Sequence, residues 1–287
     1  MKKVIVISLL LMSFLSACSK NSGHKVYQNK GSDTLVNLAQ AWAEKYRTVN
    51  PNLAFAVTGG GTGTGIAALI NNTVDIANAS RSIKPEEKEQ AQKNSGKEVK
   101  EHIVALDALI ILVHKDNPMT QISLEELACL YGQDGNCETW DSINTKIPTC
   151  TDNKVIRISR QSNSGTYQYF REKVIGEKKE FRLGSMDMNG SKEVVDLLEH
   201  TPCAIAYSGL GYITDKVKAL CVSVKKGEPC VEPTKMNAQS HKYPLSRPLF
   251  MYTLGEPTDD IKGYLAWLTS DEGQKVVEEL GFVSIPK

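Results

Sequence analysis

Apolar residues along this chain keep two alternating rhythms. Short aliphatic and β-branched runs at 26–30, 53–57 and 74–77 read as strands. Between them the spacing turns helical. Leu35, Leu38, Ala39, Trp42 and Tyr46 fall on one face of a helix that Asn50-Pro51 stops. A second helix begins at 66–70, after the glycine-rich turn 58–65, and Pro85-Glu86-Glu87 opens a charged third. This alternation of strand, turn and helix predicts an α/β sheet.

The pattern continues with a long Ile, Leu and Val run at 104–113, which reads as a buried strand. Asp107 near its middle is unusual. An acid there is more often hydrogen-bonded at a strand crossing or bulge than chemically active. Ser123 and Glu126 have capping-box spacing, and 132–152 is polar and loop-rich. A β-branched run at 155–158 leads past Arg160 into a small-residue turn, 162–166. Tyr167, Phe170, Val174 and Ile175 then recur at helical spacing. Further on, 191–200 reads as a helix capped by Ser191, 204–207 as a strand with a tight turn at 209–212, and 217–224 as another strand. Residues 243–252 run into a strand, and 261–268 and 270–280 read as terminal helices.

At 287 residues the chain is long enough for two modest domains or one large one. Its net charge of +1 argues against a nucleic-acid partner and against a broadly basic membrane face. Any preference for anions must therefore come from local groups. Lys2 and Lys3 precede a short apolar segment, 4–15, with signal-peptide character. It ends in Leu15-Ser16-Ala17-Cys18, which resembles a bacterial lipobox. The expectation is a signal peptide at 1–17, lipidation of Cys18 and a flexible tether over 18–25.

Export changes the reading of the other six cysteines. An even number in an oxidising compartment points to disulfides, with fifteen pairings open. Cys221 with Cys230 is favoured across the turn at Lys225-Lys226-Gly227, and the other pairs stay open. A zinc site is disfavoured, because no paired CxxC or suitably spaced His accompanies the cysteines, and no metal is expected.

The candidate chemistry lies in the turns. Segments 31–34, 58–65 and 162–166 each place glycine or hydroxyl residues between a strand and a helix, and Ser80-Arg81 comes straight off a strand. In open α/β sheets ligands sit beyond the carboxyl ends of the strands, where such turns gather. Converging helix N-termini present unpaired N–H groups and partial positive charge, which attract anions. Ser164 and Thr166 add hydroxyls, Gly165 allows close approach, and Arg160 supplies a forked cation. The rival motifs fail. The glycine stretch lacks the Gly-Lys-Ser/Thr of a P-loop and the offsets of a dinucleotide fingerprint. No G-x-S-x-G elbow occurs, and the five histidines share no metal-like spacing.

Taken in order, Gly31-Ser32-Asp33-Thr34-Leu35, the Gly-Thr-Gly-Thr-Gly-Ile turn, Asp75 to Arg81, Arg160 with Ser164-Gly165-Thr166, Ala204 to Tyr207, and Tyr243 to Leu249 resemble the periplasmic phosphate-binding proteins of ABC importers. The resemblance implies a two-lobed α/β periplasmic-binding-protein fold of type II-like form, with two chain crossings between lobes. One lobe would comprise 26–107 plus 242–287 and the other 108–241. It implies a phosphate site of Ser32, Asp33, Thr34, Leu35, Thr62, Gly63, Ser80 and Arg81 on one wall, and Arg160, Ser164, Gly165 and Thr166 on the other. Inorganic phosphate and the permease subunits of an ABC transporter would be the partners, with no cofactor and no enzyme activity. The protein would be a monomer held at the outer face of a bacterial membrane by its lipid.

Some members carry aspartate where Arg81 stands, which accepts a hydrogen bond from a protonated phosphate and disfavours sulfate, which has no proton to give. Others share Ser-Arg. Asp33 could act as the acceptor instead, beside its reading as a helix N-cap. Two alternatives remain: binding of sulfate or molybdate on the same fold, and an exported phosphatase-like enzyme or an adhesion or sensing protein.

Overall fold

The computed structural model describes residues 25–286. The expected signal peptide, Cys18 and most of the tether lie outside them. The chain opens with β1 (Lys25–Gly31), α1 (Val36–Val49) and β2 (Leu53–Thr58). Leu38, Ala39, Trp42 and Tyr46 are buried on α1 as their spacing requires, and Trp42 Nε1 also donates to the Gly273 carbonyl at 2.8 Å. Next come α2 (Thr62–Ile70), β3 (Ile76–Ala79) and α3 (Pro85–Ser95). Helix α2 starts inside the glycine-rich stretch, four residues before the predicted position, because Gly61 at φ +91° turns the chain directly into it.

Strand β4 (Val99–His114) is longer than its apolar run and is followed by β5 (Gln121–Ser123) and α4 (Leu124–Tyr131). The predicted capping box forms: the Glu126 amide donates to Ser123 Oγ and the Ser123 amide to Glu126 Oε2. Then follow β6 (Ile156–Arg160), α5 (Gly165–Phe170), which continues as a π-helical turn over Arg171–Ile175, β7 (Met186–Met188) and α6 (Ser191–Leu198). Ser191 does not cap α6. Gly190 holds the N-cap position, and the Ser191 hydroxyl is used elsewhere.

Strand β8 (Ala204–Gly209) precedes β9 (Val217–Ala219) and β10 (Cys221–Ser223). The single strand expected at 217–224 is therefore two. Leu220 N still donates to Ile111 O of β4, but Cys221 N donates to Thr120 O, so the chain changes strands between these two residues. The last elements are α7 (Lys235–Gln239), β11 (Ser246–Leu254), α8 (Asp259–Leu268) and α9 (Asp271–Glu279).

The main sheet runs β2-β1-β3-β11-β4-β8-β6-β7, with β9 also on β4. Strands β2, β1 and β3 are parallel to one another, and so are β8, β6 and β7. Strands β4 and β11 join the two groups antiparallel. Residues 99–108 of β4 pair with β11, whereas 109–113 pair with β8. Three sets of buried side chains form among the described residues. Two lie on the first side, one built around Trp42, Phe55, Tyr264 and Leu268 and one around Ile66, Leu69, Phe250 and Tyr252. The third, around Tyr131, Trp140, Phe170 and Tyr207, forms the second side. Three disulfides, Cys129–Cys137, Cys150–Cys203 and Cys221–Cys230, all lie on the second side. The favoured Cys221–Cys230 pair is among them.

Candidate functional site

The turns after β1, β3 and β6 and the start of α2 meet where the two groups of strands face each other. Gly31 (φ +145°) ends β1 against the Asn78 carbonyl, where a Cβ would collide, and Ser32 N donates to the same oxygen at 2.9 Å. The turn then tightens as Leu35 N donates to Ser32 O at 3.0 Å. The Leu35 side chain is buried in the core, so what Leu35 brings to this place is backbone.

Asp33 is not a helix cap. Leu35 occupies the N-cap position of α1 without a side-chain bond. Asp33 Oδ1 accepts from Gly60 N at 2.9 Å, and Oδ2 faces Arg160 Nη2 at 3.3 Å. The carboxylate thus ties two turns of the first wall to the arginine of the second. The Tyr212 hydroxyl donates to the carbonyls of Asp33 and Thr34 at 2.8 and 3.1 Å, from the turn after β8.

Thr34 Oγ1 lies 2.9 Å from Thr166 Oγ1. Thr62 Oγ1 accepts from Ser80 N at 3.1 Å and lies 3.4 Å from Ser80 Oγ. Gly165 sits against this pair: a Cβ there would collide with Thr62 Oγ1 and come 2.7 Å from Ser80 Oγ. Gly63 N donates to Asn163 O at 2.9 Å, and Asn163 Nδ2 returns a bond to Gly60 O. Ser164 caps α5, its Oγ accepting from Thr166 N and Tyr167 N. Its own O–H proton can still be donated.

Arg160 is 1 % exposed. Its Nη1 donates to Ser191 Oγ at 3.0 Å, its Nη2 to Asn189 O at 2.6 Å, and its Nε to Met188 O at 3.3 Å. With Asp33 these contacts use four of the five N–H groups of a guanidinium. Burial lowers the pKa of Arg160, and the Asp33 carboxylate opposes that shift. Arg81 is buried too, but its fork is spent on Glu87 at 2.7 and 2.8 Å and on the Ser82 carbonyl. Ser80 and Arg81 therefore differ: the first presents its hydroxyl to Thr62, while the second turns its charge to α3.

The sequence reading missed Arg247. Its Nε and Nη2 both donate to Asp107 Oδ2, at 3.1 and 2.8 Å, its Nη1 to Ser80 O, and its Nη2 to Thr166 Oγ1 at 3.0 Å. The Tyr169 ring lies 5.3 Å from its Cζ. Burial pushes the Asp107 carboxyl up, and the Arg247 fork and the Leu210 amide oppose it. The signal was present as two opposite charges in apolar strands, Asp107 and Arg247, but only the pairing of β4 with β11 puts them opposite each other. Ser191 and Tyr212 carried no such signal. The arrangement can hold an oxyanion with hydroxyls, amides and guanidinium groups. Among the described residues, no cluster of three or more His, Cys, Asp and Glu is placed to bind a metal.

Residues 19–272 match the model of the PBP superfamily domain. The chain is 33 % identical over 266 residues to the phosphate-binding protein PstS of Pseudomonas aeruginosa, across 89 % of this chain and 82 % of that one. It is 29 % identical to the Borreliella burgdorferi protein of the same name, over 99 % of both. Its fold is similar to that of a phosphate ABC transporter substrate-binding protein from Clostridium perfringens solved with bound phosphate. That match has a TM-score of 0.80 and 26 % identity, and covers 91 % of this chain and 100 % of the other. An ABC-type phosphate transport receptor from Vibrio cholerae matches with a TM-score of 0.71 and 25 % identity, over 91 % and 100 %.

Fold and comparisons together define a two-lobed substrate-binding protein. The chain belongs to the PBP superfamily and, within it, to the PstS family of phosphate-binding proteins.

Proposed function

We propose that the chain captures inorganic phosphate between its two lobes and delivers it to the permease of an ABC importer. The observation that carries this reading is the meeting of Thr34 and Thr166, from opposite walls, next to the buried Arg160. Hydroxyls, backbone amides and a guanidinium can replace water around a multivalent anion without adding a large net charge. One lobe comprises 26–107 plus 242–287 and the other 108–241. The change of partner along β4 near Asp107 and the bond from Leu109 N to Leu245 O support crossings at those places.

Ser32, Thr34, Leu35, Thr62, Gly63 and Ser80 face Ser164, Gly165 and Thr166 in this reading. On binding, the hydroxyls and the Leu35 and Gly63 amides donate to phosphate oxygens. Arg81 contributes through its backbone, since Glu87 holds its fork. Asp33 borders the site and accepts a hydrogen bond from a protonated phosphate oxygen, which disfavours sulfate. Contacts from both walls favour the closed form, and that form is the one a permease reads. The chain makes and breaks no bond in its ligand. A lipid on Cys18 holds the monomer to the outer face of the membrane.

Titration calorimetry with phosphate, sulfate and molybdate tests the reading. One phosphate per chain, undisturbed by excess sulfate, is the expected result. Absence of heat with phosphate overturns it, and equal competition by sulfate replaces it with general oxyanion binding. The mass of the amino-terminal peptide from the membrane fraction tests the lipid.

A further inference from the structure

We propose that Arg247, clamped by Asp107, is a positioning residue that makes the Thr166 hydroxyl an obligate donor at the phosphate site. The inference rests on the phosphate reading above. A threonine hydroxyl can give or accept a hydrogen bond, whereas a guanidinium carries only donors. Arg247 Nη2 lies 3.0 Å from Thr166 Oγ1, so that oxygen must accept, and its own proton must point away from the arginine. The nearest partner on that side is Thr34 Oγ1, 2.9 Å away on the opposite wall. Thr34 Oγ1 accepts the hydrogen bond from Thr166, so its own O–H points onward. Two hydroxyls of undecided polarity are thereby set in one direction, as an anion requires.

The clamp explains why the arginine can do this without flooding the site with charge. Asp107 Oδ2 takes two of its N–H groups, and Asp107 Oδ1 is held by Leu210 N at 3.2 Å. Arg247 and Asp107 are paired residues of β11 and β4, at the point where β4 changes partner. The pair is neutral as a unit, and what reaches Thr166 is the direction of a hydrogen bond. Arg247 Nη1 also holds Ser80 O at 3.1 Å, so one planar group fixes both a strand end of the first wall and a helix start of the second. A lysine keeps the charge but not this three-way fork.

The test is a double-mutant cycle read by phosphate titration on the full chain: wild type, Arg247→Met, Thr166→Val and both together, with Arg247→Lys alongside. Each single change is expected to weaken phosphate binding at least tenfold. The double variant is expected to lie within about threefold of the weaker single, and lysine to restore only part of the loss. Losses that multiply, or an Arg247→Met protein that binds like wild type, overturn the inference. Should Arg247→Met fail to fold because Asp107 is left unpaired, the cycle is run with Asp107→Asn in all four proteins, with the same criteria. Wild-type protein that binds no phosphate sinks the functional reading and this inference together. Wild-type binding without coupling sinks this inference alone.

Discussion

Thr34 Oγ1 and Thr166 Oγ1 lie 2.9 Å apart although 132 residues separate them along the chain. Neither hydroxyl is near its partner through local structure. The first follows a parallel strand of one group and the second opens a helix in the other. Their meeting ties a turn of the first group of strands to a helix start of the second.

The hydroxyl of Thr34 should therefore matter more than its bulk. Thr34→Val is expected to weaken phosphate binding about ten- to hundredfold, the loss of one hydrogen bond to a charged group. Thr34→Ser should bind within a few-fold of wild type. Titration of the two variants checks this, and equal affinities would remove Thr34 from the site.

Arg160 offers a harsher case. Its charge is buried, and four of its N–H groups are anchored by protein acceptors. Arg160→Met should lose phosphate binding by at least about a hundredfold, since a buried anion would keep no charged donor there. Thermal unfolding measured beside the titration separates this loss from unfolding.

Gly165 lies where the walls touch. Gly165→Ala puts a methyl group into Thr62 and Ser80, so it should oppose closure while leaving each core packed. Solution scattering with saturating phosphate is expected to show a smaller compaction than for wild type, with affinity lowered and the melting temperature nearly unchanged. Full compaction would show that the two walls can shift apart locally.

The Arg81–Glu87 pair predicts a pH dependence. Burial raises the Glu87 pKa, but hydrogen bonds from Arg81 and the Lys84 amide outweigh it and hold the carboxyl below its ordinary value of 4.5. A depressed acid stabilises the fold above its unfolded pKa and loses that contribution as pH falls through the folded pKa. The stability difference between wild type and Glu87→Gln should be constant from pH 7 down to about 4.5 and shrink at lower pH. Denaturant melts across that range check it, and a difference independent of pH would refute the assignment.

The disulfides predict an uneven response to reduction. All three close loops between residues 129 and 230, with sequence separations of 8, 53 and 9. In the chain-entropy model the 53-residue loop contributes about 4 kcal/mol and the short ones about 2.5 kcal/mol each. Reduction should raise hydrogen exchange on β6, β8 and α4 well before it does so on β1, β2 and α1. Uniform loss of protection would contradict this.

Much of this was legible beforehand where a single segment carries its own signal. The buried face of α1, the Ser123–Glu126 capping box and the Cys221–Cys230 bridge all depend on residues close in sequence. The turns at 31–34, 58–65 and 162–166 were visible for the same reason. What escaped depends on distant partners. The break between β9 and β10 needs β4 and β5 to compete for one segment, and the uses of Ser191, Tyr212 and Arg247 need the assembled junction. Ser191 reads locally as a helix cap, and only Arg160 arriving from another strand gives its hydroxyl a different task.

The place of β11 between β3 and β4 bears on how the molecule matures. A chain made amino-terminus first forms β1, β2 and β3 early, yet their sheet waits with an open edge until residue 254 has been added. The intervening segment, by contrast, holds in one continuous stretch nearly all that it needs to settle. The last-made strand thus completes the first-made sheet, and a chain interrupted before β11 would present a bare β3 edge to its neighbours, a template for clumping.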